Sequence, residues 1–264
     1  MPTLRSRPRV PVLSSFSILM LCCSITPAFS AAAVKQTVCS YRYHQESTEV
    51  NGHNMTTEYY VPDGQESHAL VYMLHGSAGA FSLHSNDEPP QDNFGEKTLA
   101  HNCFVVVLPH YLEALGLKSL TSEREIKSLF PLLLATTDAL LSKAELLPST
   151  RNKTVFLFGE SLGGYLNIAL ALRHQEVIAV SEISGGLPAS YLVDRTAPLA
   201  ILISHGADDD LVSENEAENL RKFCIDHQFR FQMDIYSESG HYFAQSTELQ
   251  CIARTVEFFR GIKG

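Results

Sequence analysis

The sequence predicts an α/β chain: a mostly parallel central sheet with helices on both faces and no large cap domain. Three observations lead there. Several short runs, at 69–74, 103–108, 154–158, 177–183 and 198–204, are almost wholly apolar, as strands buried on both faces are. Helical patterns fall between most of them, and that alternation builds parallel sheets from crossover units. The chain has 264 residues, 45% of them hydrophobic, which is enough for one domain with a large core, and it shows no repeat, low-complexity tract or interdomain linker.

Taken in order, the elements begin with a hairpin. Residues 45–50 and 57–62 are joined through Asn51-Gly52, a pair suited to a turn that needs positive φ. Pro62-Asp63-Gly64 makes a second turn. The apolar strand 69–74 follows and ends in His75-Gly76-Ser77-Ala78-Gly79. A polar segment through Pro89-Pro90 leads to a short helix around 94–101, then to the strand 103–108. A long helical stretch comes next, its main helix expected at 132–146 with Pro131 in the first turn, where a missing N–H costs nothing.

The strand 154–158 runs straight into Gly159-Glu160-Ser161-Leu162-Gly163, and a helical pattern (Leu166, Ile168, Ala169, Leu170, Leu172) begins at once. Strand, sharp turn and helix with serine at the apex describe a nucleophile elbow, with Gly159, Gly163 and Gly164 small enough for strand and helix to approach closely. The competing role for Ser161 is to N-cap that helix. Strands at 177–183, 198–204 and 229–236 and helices at 214–227 and 247–259 complete the pattern. The stretch 185–197 is too short for a helical cap, so the expected site is open.

The start of the chain reads as an address. Arg5, Arg7 and Arg9 precede an apolar run at 12–25 that is too short to span a bilayer, and Ala28-Phe29-Ser30 offers small residues for cleavage before Ala31. The expected organisation is therefore a cleaved signal peptide at 1–30 and one domain at 31–264, secreted or periplasmic. Cys22 and Cys23 lack the small neighbour that a lipid anchor needs. Cleavage removes three arginines and no acid, taking the net charge from −9 to −12. So acidic a surface argues against nucleic acid and anionic membranes as partners. Four cysteines remain, Cys39, Cys103, Cys224 and Cys251. In an exported chain they suit two disulfides, with three possible pairings and four buried thiols as the alternative.

Chemistry-bearing residues gather at the predicted carboxyl ends of strands, where open parallel sheets bind ligands. They are His75-Gly76-Ser77, Ser161, His205-Gly206-Ala207-Asp208-Asp209-Asp210 and Ser239-Gly240-His241. A serine hydroxyl needs an adjacent base, and the base needs an acid to orient it. Ser161, then an aspartate near 209, then His241 is the chain order of Ser-Asp-His hydrolases built on an elbow. The backbone N–H groups of Leu162 and Ser77 are the candidate oxyanion donors. His75 and His205 read as structural, and His227 as a partner for a helix C-terminus.

The segments G-E-S-L-G-G, H-G-S-A-G, H-G-x-x-D-x-x-V and S-G-H, with an opening V-N-G…Y-Y-V-P-D-G…V-Y-M-L-H-G, together resemble the dienelactone hydrolase branch of the α/β-hydrolase superfamily, from about Glu46 onward. The resemblance implies an α/β-hydrolase fold, places the acid of H-G-x-x-D on Asp209, and implies hydrolysis of carboxylic esters or lactones without metal or organic cofactor. Dienelactone hydrolases carry cysteine at the elbow, and this chain has Ser161. The departure points away from dienelactone itself and toward a serine carboxylesterase acting on a small-molecule ester or lactone. Two alternatives stand beside it: an acetyl- or feruloyl-type esterase working on polysaccharide decorations, and a binding protein of this fold without catalysis.

Overall fold

The computed structural model describes residues 38–64, 69–80, 95–146, 150 and 154–262. The expected signal peptide and the Pro89-Pro90 segment lie outside the described residues. Among these residues eight strands form one sheet: β1 (Tyr41–Val50), β2 (His53–Pro62), β3 (Leu70–Leu74), β4 (Val105–Pro109), β5 (Val155–Glu160), β6 (Val177–Ile183), β7 (Ala200–Gly206) and β8 (Arg230–Tyr236). Their spatial order is β1-β2-β4-β3-β5-β6-β7-β8. The hairpin β1–β2 is antiparallel and β2 runs antiparallel to β4, while all later pairings are parallel. At the hairpin tip Asn51 and Gly52 both take positive φ, 53° and 80°, as a two-residue turn matched to strand twist requires.

Among the described residues five α-helices cover the sheet: α1 (Gly95–His101), α2 (Glu123–Glu145), α3 (Leu162–Arg173), α4 (Glu214–Asp226) and α5 (Gln245–Arg260). The period-two alternation of β3 and β5 sorts the core into two layers. Leu70, Tyr72, Leu74, Val155 and Leu157 face a cluster built with α2, α3 and α4. Val71, Met73, Phe156 and Phe158 face a second cluster built with α1 and α5. Phe156 stacks on Phe259 of α5 with ring centroids 4.5 Å apart.

Two expectations need correction. The long helix begins nine residues before the expected start, so Pro131 sits in its interior. Ser122 is its N-cap, accepting from Glu125 N–H at 3.2 Å and donating to the Glu125 carboxylate at 2.9 Å, a reciprocal start signal that the apolar periodicity does not reveal. Pro131 removes a hydrogen bond to the carbonyl of Lys127. Both residues are exposed, and water can serve that carbonyl. The second correction concerns the thiols. Cys39 and Cys103 form a disulfide, whereas Cys224 and Cys251 are free and buried. Cys224 belongs to α4 and Cys251 to α5, in core layers on opposite faces of the sheet, so a bond between them is geometrically closed.

Between β6 and β7 the chain makes only one short 3-10 turn, Ala189–Tyr191. Arg195 pins this connection by donating to the carbonyls of Ala171, His174, Gln175, Val177, Ala197 and Pro198. No helical cap stands there. None of the described helices is long and apolar enough to cross a membrane.

Candidate active site

Ser161 lies between the end of β5 and the start of α3 with φ 50° and ψ −117°. A non-glycine residue held there carries backbone strain of about 1–3 kcal/mol, which persists only where its surroundings impose it. Here they do. The Ser161 N–H donates to Ile183 O at 2.8 Å, tying the apex to β6. A Cβ on Gly163 would come within 2.2 Å of Leu74 O, and one on Gly159 within 2.6 Å of the Gly163 backbone. Glycine at both flanking positions therefore lets α3 start this close to β3 and β5. No side-chain capping bond is made by Ser161, which removes the N-cap role.

The loop after β8 brings His241 over this apex. Its Nε2 lies 3.0 Å from Ser161 Oγ, and its Nδ1 lies 2.9 Å from Asp209 Oδ2. A carboxylate can only accept, so Nδ1 carries the proton and Nε2 is left to accept from the serine hydroxyl. The Asp209 side chain is fully buried and its Oδ1 accepts from Leu211 N–H at 3.0 Å and Val212 N–H at 2.8 Å. Two backbone donors thus hold the carboxylate, while Asp208 and Asp210 are exposed. His205 is structural, as expected: its Nε2 bonds Val212 O at 2.8 Å and braces the same loop. His227 also fits its expected place, with Nδ1 on Phe223 O at 3.0 Å in the last turn of α4.

The loop after β3 forms the opposite wall. A Cβ on Gly76 would lie 3.5 Å from Ser161 Cβ, so the His75–Ser77 backbone runs directly against the apex. Beneath it His75 stacks on Tyr111 with centroids 4.2 Å apart and bonds Gly76 O through Nδ1 at 2.8 Å. Burial pushes the His75 imidazole down to about 3, against the pull of that bond, so it is neutral scaffolding. Leu162 N–H opens α3 and Ser77 N–H lies in the facing loop. Neither amide has a hydrogen-bond partner among the described residues.

A cavity of about 260 Å³ opens beside Ser161, and Ser77, Glu160, Ser184, Tyr242 and Glu248 are among its lining residues. Sequence reasoning missed its two carboxylates. Glu160 was in view as the variable residue of the elbow motif. Glu248, on α5, carried no local signal. Burial pushes the Glu160 carboxyl up to about 8, helped by Glu248 and then Glu96, and burial also raises Glu248. One group among the described residues could present metal ligands, Glu145, His174 and Glu176, with ligand atoms within 4.8 Å of one another. It lies at the far end of α3 from Ser161, and both His174 nitrogens are already engaged, by Glu176 at 2.7 Å and Asp138 at 3.1 Å.

Comparison with known proteins agrees with this architecture. The chain superposes on a dienelactone hydrolase from Anabaena variabilis with TM-score 0.61 and 20% identity, covering 83% of this chain and 97% of the other. A dienelactone hydrolase-like promiscuous phosphotriesterase from metagenomic libraries gives TM-score 0.66 and 14% identity, covering 85% and 100%. Dipeptidyl peptidase 4 of Porphyromonas gingivalis gives TM-score 0.61 and 16% identity, covering 85% of this chain but only 36% of that one. At such identities the likeness is one of fold. The comparison with curated proteins finds no match. The family model described as the dienelactone hydrolase family matches residues 93–256, more than half of the chain and three of the four strand-end groups above, His75-Gly76-Ser77 lying before it. The chain is a member of the dienelactone hydrolase family of α/β hydrolases.

Proposed function

We propose that this protein is an exported serine hydrolase that cleaves carboxylic esters or lactones through an acyl-enzyme on Ser161. The observation that carries the reading is the 3.0 Å approach of His241 Nε2 to Ser161 Oγ, with Nδ1 already committed to Asp209. Ser161 Oγ attacks the ester carbonyl carbon while its proton passes to His241 Nε2. Asp209 stays ionised and stabilises the imidazolium. The carbonyl oxygen becomes an oxyanion facing the Leu162 and Ser77 amides. Collapse of this intermediate breaks the bond to the alcohol oxygen, which takes the proton from His241. Water then repeats the sequence on the acyl-serine, releasing the acid and restoring the hydroxyl. In a lactone the alcohol remains tethered to the acyl group.

Export is supported by the basic-then-apolar start of the sequence and by the Cys39–Cys103 disulfide, since such bonds persist in oxidising compartments. The partner is a small molecule, and the acidic net charge disfavours nucleic acid and stable membrane attachment. The short, uncapped β6–β7 connection favours one narrower version, an acetyl- or feruloyl-type esterase reaching esters displayed on polysaccharide.

Hydrolysis of aryl esters with graded acyl length, run beside fluorophosphonate labelling, tests the reading. Turnover that peaks at one acyl size, together with a single label on Ser161, is the expected result. Absence of both turnover and label would leave a binding protein on a hydrolase fold.

A further inference from the structure

Glu182 is ionisable, fully buried, and placed where the proposed chemistry has no direct use for it. It is the penultimate residue of β6 and pairs in register with Gly159 of β5 on one side and Ile203 of β7 on the other. Its side chain points to the α3–α4 face. There Gly185 N–H donates to Glu182 Oε2 at 2.6 Å, while Oε1 has no partner among the described residues. The elbow makes room for it: a Cβ on Gly164 would meet Glu182 Cβ and Oε2 at 3.3 Å and the Gly185 Cα at 3.2 Å. At Gly164, the glycine beyond the minimal G-x-S-x-G, any larger side chain would crowd Glu182 and the Gly185 backbone.

The loop that Glu182 grips touches both reacting side chains' supports. Ile183 O accepts the Ser161 N–H at 2.8 Å. Ser184, with φ 51°, donates through Oγ to His241 O at 3.5 Å and through N–H to Ser204 O at 2.8 Å. A Cβ on Gly185 would lie 3.3 Å from Ser161 O. One short segment thus carries ties to the nucleophile's backbone and to the base's backbone, and the Glu182–Gly185 bond closes it onto the sheet.

We infer that Glu182 is a positioning residue, holding the 183–185 loop so that Ser161 and His241 keep their mutual distance. The inference rests on the serine-hydrolase reading above. The acting form is the neutral acid. Burial pushes the Glu182 carboxyl up to about 8, the Gly185 N–H pulling the other way. The ionisable groups facing it are Tyr165 of α3 and Cys224 of α4, both held neutral by burial, with Glu216 of α4 beyond Tyr165. Among the described residues no lysine or arginine pairs with it. An ionised Glu182 would therefore be an unpaired buried charge, and relieving it means admitting water between α3 and the loop.

The test follows kcat and KM for p-nitrophenyl acetate, and the rate of fluorophosphonate labelling, across the neutral and alkaline range in wild type, Glu182→Leu and Glu182→Gln. Glu182→Leu leaves Gly185 N–H without an acceptor, and loses on the order of 10²-fold in kcat and labelling rate with a much smaller change in KM. Glu182→Gln offers Gly185 an amide oxygen that cannot ionise. It restores most of the neutral-pH rate lost in the leucine variant and lacks the alkaline fall that wild type shows near the Glu182 value. Glu160 titrates in the same range from the cavity side, so Glu160→Gln is the control and keeps the fall. A folded Glu182→Leu with wild-type kcat, a Glu182→Gln as slow as the leucine variant, or an alkaline fall that survives in Glu182→Gln overturns the inference. So does a wild-type profile that stays flat. Should Glu182→Leu fail to fold, the glutamine and wild-type profiles decide alone. A wild type whose Ser161 takes no label overturns the hydrolase reading and this inference with it, a result distinguishable from all the others.

Discussion

Nε2 of His241 lies 3.0 Å from Oγ of Ser161 although 80 residues of sequence separate them, and the bond is made on a backbone that is strained at the serine. Strain of this kind survives because β6, β3 and the two flanking glycines each hold the apex from a different side. The hydroxyl is thereby held within hydrogen-bond reach of the His241 imidazole.

Replacing the hydroxyl should therefore remove chemistry without removing the fold. Ser161→Ala is expected to lose nearly all turnover and all fluorophosphonate labelling, with a melting temperature within a few degrees of wild type, because a small polar side chain on a turn contributes little packing. Iodoacetamide should leave wild-type activity intact, since Cys224 and Cys251 are buried and burial pushes their thiols up to about 12 and about 11. Inactivation by iodoacetamide alongside an active Ser161→Ala would assign the chemistry to a cysteine and end the serine reading.

Asp209 is the only one of three consecutive aspartates whose carboxylate reaches His241. Asp209→Asn should lower kcat by on the order of 10⁴-fold, because an amide at that position favours the wrong imidazole tautomer. Asp208→Asn and Asp210→Asn, both exposed, should stay within a few-fold of wild type. Steady-state rates on one aryl ester decide it, and a larger loss at either neighbour would show that the acid had been misassigned.

The two cavity carboxylates give a charge preference with a pH sign. As pH rises through about 8, Glu160 ionises and the cavity wall becomes more negative. KM for an ester carrying a second, free carboxylate should rise through that range, while KM for a neutral ester of the same size should change much less. Glu160→Gln should flatten the difference. The paired substrates differ only in charge, so equal pH profiles for both would contradict the prediction.

Stability should follow the same groups. Glu160 and Glu182 have folded-state values near 8, raised above the ordinary carboxylate value of 4.5. The stability their neutral forms provide is fully present below about pH 4.5 and is lost as pH rises through about 8. Thermal melts should show their contribution declining across that window, and Glu160→Gln with Glu182→Gln should flatten the decline. A double variant that loses stability with pH as steeply as wild type would refute the assignment.

Reduction of Cys39–Cys103 tests the thiol arrangement. The bond spans a sequence separation of 64 residues and ties the start of β1 to the loop after α1. Chain-entropy arguments put its contribution at about 4 kcal/mol. Dithiothreitol should lower the melting temperature by several degrees, and thiol labelling of the native, unreduced protein should modify neither Cys224 nor Cys251. Mass spectrometry that found a Cys224–Cys251 link would overturn the arrangement.

Local chemistry carried much of this protein into plain view. Apolar runs marked most of the strands, since a strand buried on both faces carries few polar residues. Asn51-Gly52 marked the hairpin, and the glycines around Ser161 marked the elbow, because few backbones can turn that sharply. The family pattern H-G-x-x-D then singled out Asp209 from its neighbours. Tertiary structure decided what depends on which elements end up back to back. The sheet separates Cys224 from Cys251, so of four cysteines whose pairing the sequence left open these two remain free thiols. A side-chain capping exchange at Ser122 moved the start of α2 and left Pro131 inside it, where solvent exposure makes it tolerable. Glu160, Glu182 and Glu248 come to the site and its support from the ends of two strands and from a distant helix, with no shared spacing to announce them. Their burial, and hence their raised proton affinity, is a property of the packed molecule, because desolvation depends on every neighbour and no single stretch of chain contains them all.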